Sequence, residues 1–210
     1  MLRNAAGWIL DLLYPPTCAH CRRVGAAWCE TCQRMLDSMP GKNLTRWLTP
    51  DLRAVAAHAY DGVMRDAVVA FKFQRATELA DSLAGHIAVA IEKAGLGRSA
   101  IVPVPSHTAR VRWRGYDHTA LLAEALADHT GLPYVHALER SVWHGPQVGR
   151  DAAERHRAVQ GAFVCSADPV PAAAILVDDV VTTGATMIAC ADTLRAAGAA
   201  SVVCAAVCFA

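Results

Sequence analysis

Apolar and polar positions along the chain follow two periods, and each period predicts one kind of element. Four apolar runs have the length of a strand: 53–60, 100–105, 172–178 and 201–208. Elsewhere apolar residues recur every three or four positions, as on an amphipathic helix, over 63–73, 77–94, 116–129 and 186–197. Thr77 predicts an N-cap, and glycines at 95, 131 and 198 predict helix ends. Strands that alternate with helices indicate an α/β fold with a parallel sheet.

The third strand ends in two acids, and a loop of small polar residues follows it. Asp178 and Asp179 stand at the carboxyl end of the strand, where ligands bind in such sheets. The loop reads Thr182, Thr183, Gly184, Ala185, Thr186 and leads into a helix. Free N–H groups at a helix start bind anions, and glycine permits close backbone approach. The stretch predicts a cradle for a phosphorylated ribose; the alternative is a surface turn with two solvated aspartates.

This stretch resembles the phosphoribosyl-pyrophosphate signature of the type I phosphoribosyltransferases. The apolar strand, the acidic pair and the Thr-Thr-Gly-Ala-Thr loop carry the resemblance. The competing phosphate motifs, Gly-x-x-x-x-Gly-Lys-Ser/Thr and a strand followed by Gly-x-Gly-x-x-Gly, do not occur in the sequence.

Two Cys-x-x-Cys pairs lie close together near the start of the chain. The first pair is Cys18 and Cys21, and the second is Cys29 and Cys32. Four thiolates complete a tetrahedral zinc site, and a closed site of this kind is structural. A redox role is the alternative, but two such pairs without a thioredoxin-like context disfavour it. We therefore predict a helix over 1–13 and a zinc ribbon within residues 1–40, followed by a second domain over 50–210.

A second anion-binding region follows the strand at 100–105. The prolines of Ile101-Val-Pro-Val-Pro-Ser-His107 make a rigid loop, and Arg110, Arg112 and Arg114 come directly after it. Guanidinium groups suit phosphate oxygens because their donors form a planar fork. We expect these residues to meet pyrophosphate; a solvated basic turn is the alternative. Residues 139–161 have no clear period and are rich in arginine, histidine and glycine, which favours a mobile functional loop.

Composition narrows the classes of function only slightly. Hydrophobic residues make up 54% of the chain, and the formal net charge is +1. Global charge therefore gives no drive toward nucleic acid or an anionic membrane. No apolar stretch reaches the length of a membrane span, so the sequence predicts a cytoplasmic protein with no membrane span.

Taken together, these motifs resemble the ComF/GntX family, which comprises amidophosphoribosyltransferase-like proteins linked to natural competence and DNA uptake. The motifs that carry it, in chain order, are the cysteine pairs, Phe71-Lys72-Phe73, Val102-Pro-Val-Pro105, Arg114-Gly-Tyr116, Gln147, Arg155 and residues 175–186. The resemblance implies a type I phosphoribosyltransferase-like parallel sheet flanked by helices. It also implies that phosphoribosyl pyrophosphate and Mg²⁺ bind, with transfer to a nitrogen acceptor that the sequence does not identify.

The resemblance also assigns roles to residues. Asp178 and Asp179 would bind the ribose hydroxyls, and residues from Val181 through Thr182, Thr183, Gly184 and Ala185 to Thr186 would hold the 5′-phosphate. Pro105, Ser106 and His107 would contact pyrophosphate with Lys72 or Arg114 nearby, and residues 139–160 would form a lid.

The chain departs from the family pattern around the acceptor and the lid. It has Tyr116-Asp117-His118 where Phe-Asn-Gln is usual, Ala158 where Asn is usual, and Ser106 where Leu is frequent. Two alternatives stay open: a non-catalytic module that binds a phosphoribosyl ligand or single-stranded DNA, and a scaffold whose ribbon docks a DNA-uptake protein.

Overall fold

The computed structural model of the chain describes residues 15–97, 99–140 and 162–210. The predicted helix over 1–13 and residues 141–160 of the predicted lid lie outside these ranges. In the part of the chain that the structure describes, no helix is both long and apolar enough to cross a bilayer.

A five-stranded sheet forms the centre of the molecule. Its strands are β1 (Leu44–Thr49), β2 (Leu52–Ala59), β3 (Ala100–Pro103), β6 (Ala173–Val181) and β7 (Ser201–Phe209). They lie in the order β1-β2-β7-β6-β3, and only the edge strand β1 is antiparallel to its neighbour. Two further strands, β4 (Leu138–Arg140) and β5 (Phe163–Cys165), pair with each other as a separate antiparallel sheet.

Helices cover both faces of the sheet. They are α1 (Glu30–Asp37), α2 (Gly62–Phe73), α3 (Leu79–Lys93), α4 (Thr108–Arg114), α5 (His118–Thr130) and α6 (Ala185–Ala196). Residues of α2, α3 and α5 share one core with strand residues such as Ile175 and Val177. Residues of α6, β4 and β5 share a second core with Leu176 and its neighbours on the opposite face. The predicted α/β fold, a parallel sheet with flanking helices, is confirmed except at the antiparallel edge strand β1.

Three features differ from the sequence prediction. Strand β1 occupies a stretch with no apolar run, because as an edge strand it leaves Thr45 and Trp47 exposed. Residues 108–114, predicted as loop, form α4, which ends at Gly115 in the left-handed conformation. Thr77 does not cap α3, because α3 begins at Leu79 and Glu78 is its N-cap residue.

The cysteine-containing segment packs directly on the α/β unit. Cys18, Trp28, Cys32 and Leu36 belong to the same hydrophobic core as α2 and α3. Polar contacts add to this packing: His20 Nδ1 lies 3.0 Å from Asp66 Oδ2 on α2, and the amide of Gln33 donates to the hydroxyl of Ser82 on α3. The segment and the sheet are therefore joined by both apolar and polar contacts.

Candidate functional site

Strand β6 continues past the two acids, so that they lie inside the strand near its carboxyl end. Successive side chains on a strand point to opposite faces. Asp178 lies on the face of Leu176, toward α6, and is half-buried; Asp179 lies on the face of Val177 and is 1% exposed. The two side chains leave the strand on opposite faces, yet one carboxylate oxygen of each and one ring nitrogen of His118 all lie within 4.8 Å of one another.

Two cationic or proton-donating side chains face Asp179. Lys72 Nζ, from the end of α2, lies 2.8 Å from Asp179 Oδ2, and His118 Nε2, from the start of α5, lies 3.3 Å from the same oxygen. Burial by itself raises the pKa of Asp179, but the contact with His118 and the charge of Lys72 outweigh it, so this pKa lies below its usual range. Asp179 is therefore an ionised, internally balanced carboxylate.

The pKa of Asp178 is shifted in the opposite direction. Burial, followed by the negative charge of Asp179, raises its pKa well above the usual range. Its Oδ1 accepts a hydrogen bond from the Asp179 N–H at 2.8 Å. Asp178 also lines a small concavity together with the loop residues 182–186. The side chain of Asp178 is thus positioned to meet a ligand held by that loop.

The loop residues surround this concavity. Val181, Thr182, Thr183, Gly184, Ala185 and Thr186 all line it, and α6 begins at Ala185. Gly184 has a φ of +79°, a value that residues with a side chain rarely adopt. A Cβ on Gly184 would lie 2.7 Å from Leu48 Cδ2. In this structure the close approach at Gly184 is therefore to the edge strand β1.

A second residue of β1 supports the same loop. Arg46 Nη1 donates to the carbonyl oxygen of Thr182 at 2.9 Å, and its guanidinium lies 4.5 Å from the centre of the Phe209 ring. No sequence motif singles out Arg46, and this contact was not predicted. Because the partner lies 136 positions away in the chain, no local pattern reveals it.

The proline-containing loop reaches the acid pair through His118. Pro105 is buried, and Ser106 Oγ donates to Asp117 Oδ1 at 2.8 Å and lies 3.3 Å from His118 Nδ1. His107 caps α4, since its Nδ1 accepts the Ala109 N–H at 3.1 Å. The structure therefore brings Ser106 close to the side chain that contacts Asp179.

The three arginines after this loop do not act as a single group. Arg110 and Arg112 are exposed on α4, whereas Arg114 is buried. Arg114 Nη1 lies 2.8 Å from His118 Nδ1. Because a guanidinium only donates, His118 Nδ1 accepts, which leaves the proton of the neutral ring on Nε2, facing Asp179. His118 therefore links Arg114 to the acid pair, a role that sequence reasoning did not give it, although its spacing of four from Arg114 across a helix start is a local hint.

The four predicted cysteine ligands are brought together. Their sulfur atoms all lie within 4.8 Å of one another, and Cys21 Sγ and Cys29 Sγ are 3.5 Å apart. Tetrahedral zinc with thiolate ligands places sulfur atoms about 3.8 Å apart. The cluster is therefore compatible with a zinc site.

The protonation preferences of these thiols fit a bound cation. Although burial opposes it, backbone hydrogen bonds from Cys21 and Cys29 lower the pKa of Cys18 to about 6. Burial and the other sulfur atoms raise the pKa of Cys32. Four thiolates this close repel one another, so full ionisation requires a positive charge at their centre.

Comparison with known proteins first identifies a class of protein to which part of the chain is similar. Residues 122–210 match the family model described as "Phosphoribosyl transferase domain". This range contains β6, the acid pair and the loop 182–186, so this part of the chain is similar to phosphoribosyltransferase domains, as the sequence predicted. A particular relative narrows the class: Competence protein F of Haemophilus influenzae is 28% identical over 192 residues, which cover 87% of this chain and 80% of that protein. The predicted resemblance to the ComF/GntX family is confirmed.

Two solved structures are also similar to the chain. Glutamine phosphoribosylpyrophosphate amidotransferase from B. subtilis, complexed with ADP and GMP, is 19% identical with a TM-score of 0.44 and matches 62% of this chain. The allosteric regulatory enzyme of purine biosynthesis is 20% identical with a TM-score of 0.41 and matches 61% of this chain. The matches span only 26% and 25% of those two chains.

Proposed function

We propose that this protein binds phosphoribosyl pyrophosphate and transfers its phosphoribosyl group to a nitrogen acceptor. The observation that carries the proposal is the position of Asp178 beside the loop 182–186, at the carboxyl end of a central parallel strand. A carboxylate can accept hydrogen bonds from sugar hydroxyls, and the neighbouring loop can hold a phosphate. Together they suit a phosphorylated ribose. The family match over 122–210 supports the same chemistry.

In this proposal each part of the site has a distinct task. The loop N–H groups and threonine hydroxyls hold the 5′-phosphate, and the acid pair holds the ribose and favours positive charge on the sugar in the transition state. Pro105, Ser106 and His107 form the wall that faces pyrophosphate. The acceptor nitrogen gives its lone pair to ribose C1, pyrophosphate leaves with the electron pair of the C1–O bond, and an N–H acceptor then releases a proton.

Mg²⁺ fits the donor set of this site. It prefers oxygen ligands, and among the acid pair Asp178 is the carboxylate without a lysine contact, whereas Asp179 already contacts Lys72 and His118. We propose that Asp178, with oxygen atoms of the bound donor, holds the ion, whose positive charge would favour the ionised form of Asp178. When bound, Mg²⁺ would supply positive charge beside the pyrophosphate leaving group.

The test is calorimetry of phosphoribosyl pyrophosphate binding with and without Mg²⁺. We expect affinity that depends on Mg²⁺ and is lost in Asp178→Asn. Asp192→Asn is the matched control, because Asp192 lies exposed on α6, away from the concavity, and should bind as the wild type does. Equal affinity of Asp178→Asn and the wild type would refute the assignment of the ribose site.

We also propose that the four cysteines hold one structural Zn²⁺ ion, and that the protein acts in a competence-linked pathway, as the name of its relative suggests.

A second candidate function is binding of single-stranded DNA without chemistry. It is favoured by Trp113, which is 69% exposed on α4 beside the exposed Arg110 and Arg112. Backbone-tracking binding must weaken as salt rises, so oligonucleotide binding that salt does not weaken would count against a groove that tracks the nucleic-acid backbone.

A further inference from the structure

A pocket beside Lys72 is given no task in the function proposed above. Its volume is about 200 Å³. It is lined by six residues from the end of α2, from α4 and from the segments that follow them: Lys72, Phe73, Arg75, Trp113, Arg114 and Tyr116. Three of these side chains are cationic and three are aromatic, and no carboxylate is among the described residues that line the pocket.

The charges of the pocket point to an anionic ligand. Arg75 is exposed directly after α2, while Lys72 and Arg114 are largely buried. Lys72 is balanced by Asp179, whereas Arg114 contacts the His118 ring and neither Arg114 nor Arg75 forms an ion pair with a carboxylate among the described residues. A ligand acid group in the pocket would balance this positive charge.

The rings of the pocket point to a flat ligand. Phe73 is 53% exposed and Trp113 is 69% exposed, although large apolar side chains are usually covered. The Arg114 guanidinium lies 5.0 Å from the centre of the Phe73 ring, which fixes one wall of the pocket. The Tyr116 hydroxyl donates to the Phe71 carbonyl and fixes another. An aromatic ring placed between these walls would cover the exposed surfaces.

The volume limits the size of that ligand. A cavity of about 150 Å³ accommodates one benzene ring, so a pocket of about 200 Å³ suits a single ring with one small substituent. The pocket is also next to the acid pair, because Lys72 lines it and contacts Asp179, while Arg114 lines it and contacts Asp179 through His118.

From these observations we propose that the pocket binds the acceptor, and that the acceptor is a single-ring aromatic acid bearing a nucleophilic nitrogen on its ring or on an amino group. The acid group is held by Arg75 and Arg114, and the ring lies against Phe73 and Trp113. This inference rests on the proposed function for the word acceptor, but the binding itself does not require phosphoribosyl pyrophosphate.

The experiment measures binding of two matched pairs of probes, first without phosphoribosyl pyrophosphate and then with it. The pairs are nicotinate with nicotinamide and anthranilate with its amide, which differ in the charge of one group. We expect each acid to bind at least about tenfold more tightly than its amide, the size of one charge-assisted hydrogen bond. Trp113→Leu and Arg75→Gln should each weaken the acids by about tenfold.

Matched controls separate the pocket from general surface effects. Trp47→Leu removes an exposed tryptophan from β1, and Arg65→Gln removes an exposed arginine from the first half of α2. Both should leave the affinity for the acids unchanged. Thermal unfolding of all four variants checks that each is folded, since all four side chains are exposed.

Each result decides between the alternatives. Acids that bind in the wild type and are lost only in the two pocket variants support the proposal. Equal binding of acid and amide, or no binding of either acid, overturns it. If an oligonucleotide binds and Trp113→Leu abolishes that binding while the acids fail, the pocket belongs to a nucleic-acid surface. If the acids bind but phosphoribosyl pyrophosphate does not, the pocket stands and the proposed transfer reaction falls.

Discussion

The cysteine cluster and the acid pair are both groups of like-charged ligands inside the protein, yet they are balanced in different ways. At the acid pair, Lys72 and His118 contact Asp179, so the chain itself supplies the compensating groups. At the cysteine cluster, burial and the other sulfur atoms raise the pKa of Cys32, and the described residues of the cluster are compatible with a bound zinc ion. We therefore expect the first site to form by folding alone and the second to form only together with its ion.

The largest expected effect tests the external cation. Cys32→Ser should abolish binding of one zinc ion per chain and lower the midpoint of thermal unfolding by at least about 10 °C, since metal binding supplies folding energy. Metal analysis and a thermal melt measure both. Cys165→Ser, on β5 and outside the cluster, should change neither. Retention of zinc by Cys32→Ser would contradict the four-thiolate site.

The charge compensation of Asp179 can be removed by a substitution at Lys72. Lys72→Met should lower the free energy of unfolding by about 3 kcal/mol, because it leaves the buried Asp179 carboxylate with His118 as its remaining partner. Adding Asp179→Asn should recover part of that loss. Urea unfolding of the two single variants and the double variant gives the coupling. Strictly additive losses would show that Lys72 and Asp179 do not compensate each other.

A histidine pair between the two regions gives a pH-dependent effect. His58 Nε2 lies 3.2 Å from His86 Nδ1, and His86 Nε2 lies 3.0 Å from the carbonyl oxygen of Leu36 on α1. Burial, followed by the charge of His86, lowers the pKa of His58 from 6.5 to about 4. In the unfolded chain His58 therefore takes up a proton at higher pH than in the folded protein.

The sign of the pH effect follows from this difference. Stability from neutral His58 is fully present above pH 6.5 and is lost as pH falls toward about 4, a loss of about 3 kcal/mol. We expect His58→Asn to flatten this part of the curve of unfolding free energy against pH. The exposed His136 is the control site, and His136→Asn should keep the wild-type slope. An unchanged slope in His58→Asn would refute the assignment.

The smallest effect concerns the loop next to the acid pair. Gly184→Ala should lower the free energy of unfolding by about 2 kcal/mol, from its positive φ and its contact with Leu48. Leu48→Ala in the same chain should relieve the steric part only. Gly97→Ala, where a Cβ meets nothing within 4 Å, should be nearly neutral. Chemical denaturation measures all of these, and a neutral Gly184→Ala would show that the loop relaxes freely.

Much of the fold could be predicted because its signals are local. The parallel strands are continuous apolar runs, and the spacing of the cysteines by itself indicates the four-sulfur cluster that the folded chain contains. Strand β1 could not be predicted, because an edge strand with exposed Thr45 and Trp47 has no such run.

The candidate site divides in the same way. The loop 182–186 and the acids are contiguous in sequence, so their association is visible there. The contact of His118 with Arg114 joins residues four positions apart, whereas its contact with Asp179 depends on how α5 packs against β6, which no local pattern encodes. The different surroundings of Asp178 and Asp179 likewise arise from the two faces of the sheet.

Asp117 connects the proline-containing loop to the first turn of α5 by hydrogen bonds. Its carboxylate accepts hydrogen bonds from the Ser106 hydroxyl and from the backbone N–H groups of Thr119 and Ala120 in the first turn of α5. A ligand that immobilises Ser106 therefore also restrains that turn. Amide hydrogen exchange at Thr119 and Ala120 should slow when the loop is occupied, so these two peptide groups can report occupancy for ligands that carry no chromophore.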